Sequence, residues 1–346
     1  MAQKKKIKFL SYLLTLTTLS LMVAPHQVTY AYAPVSITAP TAILVDASTQ
    51  RFVYAKIPHL KRAPASTTKL LTAMVAADLI SLNAVVTVPK YIEGTPPSKI
   101  HLRAGERFRV KDLMRAMLIK SANDAAEMLA VSAAGSRANF ALFMNQKARA
   151  IGCRDSHFMN PNGLPHPAQY SSAYDMARIM KAIQKYPFIV DTLKVKTMTI
   201  QSLGGRRISL KNHNKMLWRD SRPVFGKTGW TRKAKHCFVG EIHLSGRKVF
   251  VALLGSHSLW RDLKKLVDYQ FGMKLIPLHR THKIWAHKPK KIQSALKRAG
   301  FYSGTVNGQL GPSTIRAIKK FQRANHLHAD GVVGPITWEK LQAFSA

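Results

Sequence analysis

Cysteine, acidic residues and long unbroken apolar runs are what this chain has least of, and each scarcity excludes something. Cys153 and Cys237 are the two cysteines, too few for a disulfide framework or a thiolate-rich zinc site. One Cys153–Cys237 bridge and two buried free thiols are both compatible with the apolar stretches around them. Asp and Glu number 16 against 54 Lys and Arg, a formal net charge of +38. A field of that size holds a protein against polyanions, whether nucleic acid, anionic lipid headgroups or acidic wall polymers. The main apolar run, residues 9–24, is broken by Ser11, Thr15, Thr17, Thr18 and Ser20 and is short for a bilayer span. Lys4, Lys5, Lys6 and Lys8 precede it, and the small residues Ala31 and Ala33 follow. Residues 1–33 are therefore expected to be a secretory signal peptide, with a retained membrane anchor as the alternative. Export removes nucleic acid from the natural partners, leaving electrostatic contact with an anionic wall or membrane surface.

What is present belongs to a folded protein. With 346 residues, 46% of them hydrophobic, the chain has room for a larger domain and a small one. Apolar residues over 42–46 and 51–54, parted by Ala47-Ser48-Thr49-Gln50, predict a hairpin. Leu70, Leu71, Met74, Val75 and Leu79 recur at three- and four-residue spacing behind Pro64 and predict a helix from Ser66. Further helices are expected at 111–119, 124–134, 139–150 and 172–184. Late strands at 237–242 and 249–254 flank Ser245-Gly246, and a helix at 260–271 follows. Strands at both ends of a helical middle predict an α+β fold over residues 34–278, an antiparallel sheet flanked by helices. The basic stretch 279–287 reads as a linker. In residues 288–346, Asn307-Gly308-Gln309-Leu310-Gly311-Pro312-Ser313-Thr314 is echoed by Asp330-Gly331-Val332-Val333-Gly334-Pro335-Ile336-Thr337. Each copy sets a turn and opens a helix with proline, which predicts a small three-helix domain with helices at 290–299, 312–324 and 335–343.

Three short motifs carry the chemistry. Ser66-Thr67-Thr68-Lys69 puts a hydroxyl and an amine three residues apart at a helix start, on one face. Burial and a neighbouring cation can lower an amine's pKa until it serves as the base a serine nucleophile needs. Taken alone the pattern is weak, and the simpler reading of Ser66 is a helix cap. Ser121-Ala122-Asn123, between two helices, offers a second hydroxyl and an amide, or simply another cap. Lys227-Thr228-Gly229 lies on an expected strand, where Gly229 would remove a side chain from the path of a substrate peptide. The order and spacing of all three match the Ser-x-x-Lys, Ser-x-Asn and Lys-Thr-Gly set of penicillin-recognising enzymes.

With the surrounding text, including Phe158-Met159-Asn160-Pro161-Asn162-Gly163-Leu164 and Lys227-Thr228-Gly229-Trp230-Thr231, residues of about 40–275 resemble the D-alanyl-D-alanine carboxypeptidase family of low-molecular-mass penicillin-binding proteins. The resemblance implies a penicillin-binding, β-lactamase-like transpeptidase fold and removal of the terminal D-alanine from peptidoglycan stem peptides. It implies Ser66 as acylated nucleophile, Lys69 as base, and Ser121 and Asn123 as proton relay and substrate amide contact. Lys227 and Thr228 would bind the substrate carboxylate, and the backbone N–H groups of Ser66 and Trp230 would form the oxyanion hole. An arginine after the last strands assists in that family, and Arg261 is the candidate here. No metal and no cofactor is implied, and β-lactams are expected as covalent inhibitors. The last domain resembles the peptidoglycan-binding-domain-1 family, with Asn307 where aspartate is usual. The expected place of action is the periplasm or cell wall. Rival expectations are a β-lactamase, for which residues 155–170 lack the deacylating glutamate of the class A type, a DD-endopeptidase, and a catalytically idle wall-binding protein.

Overall fold

Burial on both faces builds the central sheet of the computed structural model, which describes residues 35–219, 224–244, 246–272 and 289–345, the last stretch without 310, 328, 330, 332 and 334. The expected signal peptide and linker, and Leu310, Asp330, Val332 and Gly334 of the repeat, lie outside the described residues. Strands β1 (Thr41–Asp46), β2 (Phe52–Lys56), β7 (Val224–Thr231), β8 (Lys235–Leu244) and β9 (Arg247–Ser256) form one sheet in the order β2-β1-β9-β8-β7, with every pairing antiparallel. Alternate residues go to opposite faces. Ile43, Val45, Phe250, Ala252 and Leu254 join one core, while Ala42, Leu44, Val249, Val251 and Leu253 join another. Burial on both faces explains why 237–242 and 249–254 read as nearly continuous apolar runs.

The first core is capped by helices α1 (Lys69–Leu79), α2 (Val110–Ile119), α3 (Asn123–Ala134), α4 (Arg137–Ala150) and α5 (Ala173–Ile183). Ser136 and Ser172 cap α4 and α5 by accepting from the N–H groups of Asn139 and Asp175, each at 3.1 Å. The second core lies under α8 (Leu259–Gly272), which contributes Leu259, Leu263, Leu266 and Val267. The expected α+β architecture therefore holds, with the helix ends of this domain displaced by at most two residues except at the start of α1, where a 3₁₀ turn precedes Lys69. Elements not foreseen are the short pair β3 (Val85–Thr87) and β4 (Arg107–Arg109), the hairpin β5 (Thr197–Gln201) and β6 (Arg207–Lys211), and helices α6 (Pro187–Lys194) and α7 (Met216–Arg219). Both cysteines are free and buried. Cys153 Sγ faces Asp175 O at 3.5 Å and Cys237 Sγ faces Ala63 O at 3.8 Å, so the pair makes no bridge. Among the described residues no helix is long and apolar enough to cross a membrane.

In the C-terminal part, α9 (Pro289–Arg298), α10 (Pro312–Ala324) and α11 (Pro335–Leu341) pack around Ile292, Leu296, Ile318 and Phe321. A buried glutamine anchors each copy of the repeat. Gln293 Oε1 accepts from Gly308 N at 2.7 Å while its Nε2 reaches Thr314 Oγ1 at 3.2 Å. Gln322 does the same with Gly331 N at 2.8 Å and Thr337 Oγ1 at 3.2 Å. Each glutamine thus ties a glycine turn to the threonine in the first turn of the next helix, the reason those two residue types recur together.

Candidate active site

Ser66 does not begin an α-helix as expected; it sits in a 3₁₀ turn, Ala65–Thr68, that leads into α1. In such a turn residues i and i+3 eclipse, so the hydroxyl and the amine meet with Lys69 Nζ 2.9 Å from Ser66 Oγ. The cap alternative fails, because neither this turn nor α1 has a side-chain cap at its start. Ala65 holds φ +49° and Ser121 φ +62°, left-handed conformations that cost free energy for residues with a Cβ and concentrate at functional sites. The second lifts the Ser121 hydroxyl out between α2 and α3.

Lys69 is fully buried and its three contacts define what it can do. Nζ lies 2.7 Å from Asn123 Oδ1, 2.6 Å from the carbonyl oxygen of Asn162 and 2.9 Å from Ser66 Oγ. The first two atoms only accept. A neutral amine has two N–H groups, so both are spent there and its lone pair is left facing the Ser66 hydroxyl. Burial, with the nearby Lys227 cation next, holds the Lys69 pKa well below the ordinary lysine range, against the smaller opposite pull of Glu127 and Asp124. Asn123 is held in turn: its Nδ2 donates to the carbonyls of Pro97 at 2.7 Å and Pro96 at 3.2 Å.

Across the cleft, β7 is the last strand of the sheet order and lies against the Ser66 turn. Gly229 permits that approach, since a Cβ there would sit 2.9 Å from Ser66 N and 3.0 Å from the Ala65 Cβ. Its missing side chain makes room for the nucleophile's own backbone, a different reason from the substrate clearance expected of it. Lys227 Nζ donates to Ser121 Oγ at 2.9 Å and to Thr228 O at 3.0 Å, and desolvation pushes its pKa down to about 7. Ser66, Ser121, Asn123, Thr228, Gly229 and Trp230 line one cleft of about 380 Å³, together with Pro97, Ser98, Gly163, His213 and Trp260. A larger neighbouring recess of about 580 Å³ shares His213 and Lys215 with it but reaches none of the motif residues. Arg261 is not in the cleft: it is exposed on α8, which lines the cleft with Leu259 and Trp260 instead. The basic side chains that do line it are Lys215, His236 and His213, the last a neutral imidazole whose pKa desolvation and then Lys227, Lys120 and Lys69 push down to about 4. Asn162, Glu127 and His213 are site residues the sequence motifs did not assign.

The buried cation at 227 has a measurable cost. A lysine with a depressed native pKa destabilises the fold fully below that pKa, and the penalty fades as pH rises toward the unfolded value of about 10.4. Lys227→Met is therefore expected to raise stability at pH 6–7 on the order of a few kcal/mol while impairing turnover, with the difference closing by about pH 10. Denaturant unfolding of both proteins across that range checks it; a constant difference at every pH would refute the assignment of the penalty to charge.

Comparison with known proteins matches this geometry to a family. Residues 27–258 match the model of D-alanyl-D-alanine carboxypeptidase, and residues 288–341 match that of a peptidoglycan binding domain. D-alanyl-D-alanine carboxypeptidase DacD of Salmonella typhimurium is 31% identical over 267 residues, covering 73% of this chain and 67% of its own. DacF of Bacillus subtilis is 27% identical over 268 residues, covering 75% of this chain and 68% of its own. The solved Streptomyces K15 DD-transpeptidase superposes with a TM-score of 0.64 at 27% identity, over 69% of this chain and 98% of that one. With the family model covering all three motifs and the whole sheet that carries β7, the chain belongs to the D-alanyl-D-alanine carboxypeptidase family.

Proposed function

We propose that the enzyme removes the terminal D-alanine of peptidoglycan stem peptides through an acyl-enzyme on Ser66. One observation carries this: Lys69 Nζ is held by two carbonyl oxygens and lies 2.9 Å from Ser66 Oγ, so that in its neutral form the lone pair is the part left to face the hydroxyl. The Ser66 proton passes to Lys69 as Oγ attacks the penultimate D-Ala carbonyl carbon. The oxyanion is received by the N–H groups of Ser66 and Trp230, at a turn and strand that Gly229 lets pack together. Collapse breaks the peptide C–N bond, and the departing amine takes a proton relayed through Ser121, which Lys227 orients. Water then attacks the ester carbonyl as Lys69 takes one of its protons, the bond to Ser66 Oγ breaks, and Lys69 hands that proton to Oγ, which frees the shortened peptide and restores the serine. Thr228 and Lys227 bind the terminal carboxylate, with Lys215 at the cleft wall in the part expected of Arg261. β-Lactams acylate Ser66 by the same route. The test is to incubate the protein with a stem peptide ending in D-Ala-D-Ala, follow free D-alanine, and weigh the protein after exposure to penicillin. Absence of both D-alanine and a penicillin adduct would refute the proposal.

The enzyme acts on the wall after export, its leader being residues 1–33, and the C-terminal module holds it there. Tethering raises the local concentration of stem peptides without touching the chemistry. Deleting residues 288–346 is expected to leave hydrolysis of a small soluble peptide within about twofold of the full chain while weakening retention on purified sacculi. Retention must be compared above about 0.3 M salt, where screening shortens to a few ångströms and the net charge of +38 no longer decides binding. Equal retention there, or loss of small-peptide hydrolysis, would show that the module is not a separable anchor.

A further inference from the structure

One turn beyond Asn123 on α3 stands a carboxylate that none of the three motifs contains. Glu127 is 3% exposed, and a buried carboxylate costs several kcal/mol unless its partners compensate. One of its oxygens accepts from Arg137 Nε at 2.9 Å, an arginine whose side chain is otherwise mostly in solvent. The other accepts from Asn162 Nδ2 in a very short contact. Asn162 is 2% exposed, and its Oδ1 accepts from Leu164 N at 2.9 Å. Both ends of that side chain are thus fixed, and with them the peptide carbonyl that accepts from Lys69 Nζ at 2.6 Å. A continuous line of contacts runs from Arg137 through Glu127, Asn162 and Lys69 to Ser66.

We propose that Glu127 is a positioning residue for acylation: through Asn162 it holds the Lys69 amine with its lone pair on the Ser66 hydroxyl. The inference rests on the reading of Ser66 as nucleophile and Lys69 as base. Glu127 lines no part of the cleft and touches no reacting atom, so its action is through Lys69 alone. An ion pair with Arg137 would not by itself require a buried acid here. The contact with Asn162 does, because an apolar side chain would leave Asn162 Nδ2 unpartnered and its loop free to turn the carbonyl away. Charge adds a second effect. The charged groups acting on Lys69 are Lys227 from β7 and Asp124 and Glu127 from α3. Removing the Glu127 charge leaves Lys227 opposed by Asp124 alone, so the amine gives up its proton more easily.

The test compares Glu127→Ala and Glu127→Gln with the full-length wild type, using stopped-flow acylation by a fluorescent penicillin from pH 5 to 9 and thermal unfolding of each protein. Glu127→Ala is expected to acylate about 10- to 100-fold more slowly, the scale for misplacing a reacting group by about 1 Å, while the initial affinity for penicillin changes less than twofold. Glu127→Gln, whose amide oxygen can still accept from Asn162, should keep the rate within about threefold at pH 8 and move the acid limb to lower pH. Wild-type acylation by Glu127→Ala overturns the proposal. So do equal losses in both variants that follow the drop in unfolding temperature and leave the acid limb in place. If the alanine variant does not fold, the pH profile of the glutamine variant decides. A wild type that penicillin never labels refutes the nucleophile assignment, and this inference with it.

Discussion

Ser66→Ala is expected to abolish penicillin acylation and to lower D-alanine release by at least about 10⁴-fold, with the protein still folded. The size follows from how the site divides its labour. Removing a nucleophile removes the whole covalent route, and what survives is only the stabilisation that the oxyanion donors and substrate binding provide. Lys69→Ala should cost nearly as much, because in the proposed mechanism the hydroxyl and the amine 2.9 Å away act as one unit. The double variant should then be little worse than either single one, since losses within such a unit do not add. Intact-protein mass after penicillin treatment reads the first outcome, and D-alanine release from a stem peptide reads the second. A Ser66→Ala protein that still gains the mass of penicillin would place the nucleophile elsewhere. A Lys69→Ala protein within tenfold of wild type would make another group the base, with Ser121 beside Lys227 the first to examine.

The side chains that the three motifs name were legible in the sequence, whereas the contacts that hold them in place were not. Ser66, Lys69, Ser121, Asn123 and Lys227 are chemical types with few alternative explanations once three motifs occur in order. Asn162 meets Lys69 through its peptide carbonyl, and no residue type encodes the direction in which a carbonyl points. Its block was recognisable only as text similar to a family. Glu127 lies four residues after Asn123, on the same helical face, which was a usable signal that the motif boundary concealed. The need for glycine at 229 has a further reason that the sequence does not show, because the packing of β7 on the Ser66 turn is a tertiary contact between residues far apart in the chain. Arg261 rested on a family analogy without a motif of its own, and α8 turns it outward. In the fold, two-sided burial made β8 and β9 plain; β5 and β6 carry a clean alternation in Met198, Ile200, Ile208 and Leu210 around Gly204-Gly205, a readable hairpin signal that the expected elements left out.

Gly163→Ala should be the most damaging single change outside the reacting groups, lowering acylation about 100-fold or more. Gly163 holds φ +82°, and a Cβ built there would lie 1.9 Å from the carbonyl oxygen of Ala65 and 3.0 Å from Ser66 N. No side chain can swing aside, because the atoms it meets are backbone. Ala65 has no slack to give, being itself at φ +49°. Either the Ala65–Ser66 peptide moves, which displaces the nucleophile and its N–H, or the 160–163 loop moves, which pulls the Asn162 carbonyl from Lys69. Thr72 resists the second route by donating to Pro161 O at 2.6 Å. Both routes misplace a reacting group by about the 1 Å that costs on the order of 100-fold. Gly135→Ala supplies the control. Gly135 caps α3 at φ +75° with nothing within 4 Å of the added carbon, so it carries the left-handed backbone penalty of about 1–2 kcal/mol without the collision. Both variants should lose stability, Gly163→Ala by more, and only Gly163→Ala should lose acylation at a temperature where each protein is folded. If the two variants acylate alike, the contact between Gly163 and Ala65 is a matter of stability and does not set the position of Ser66.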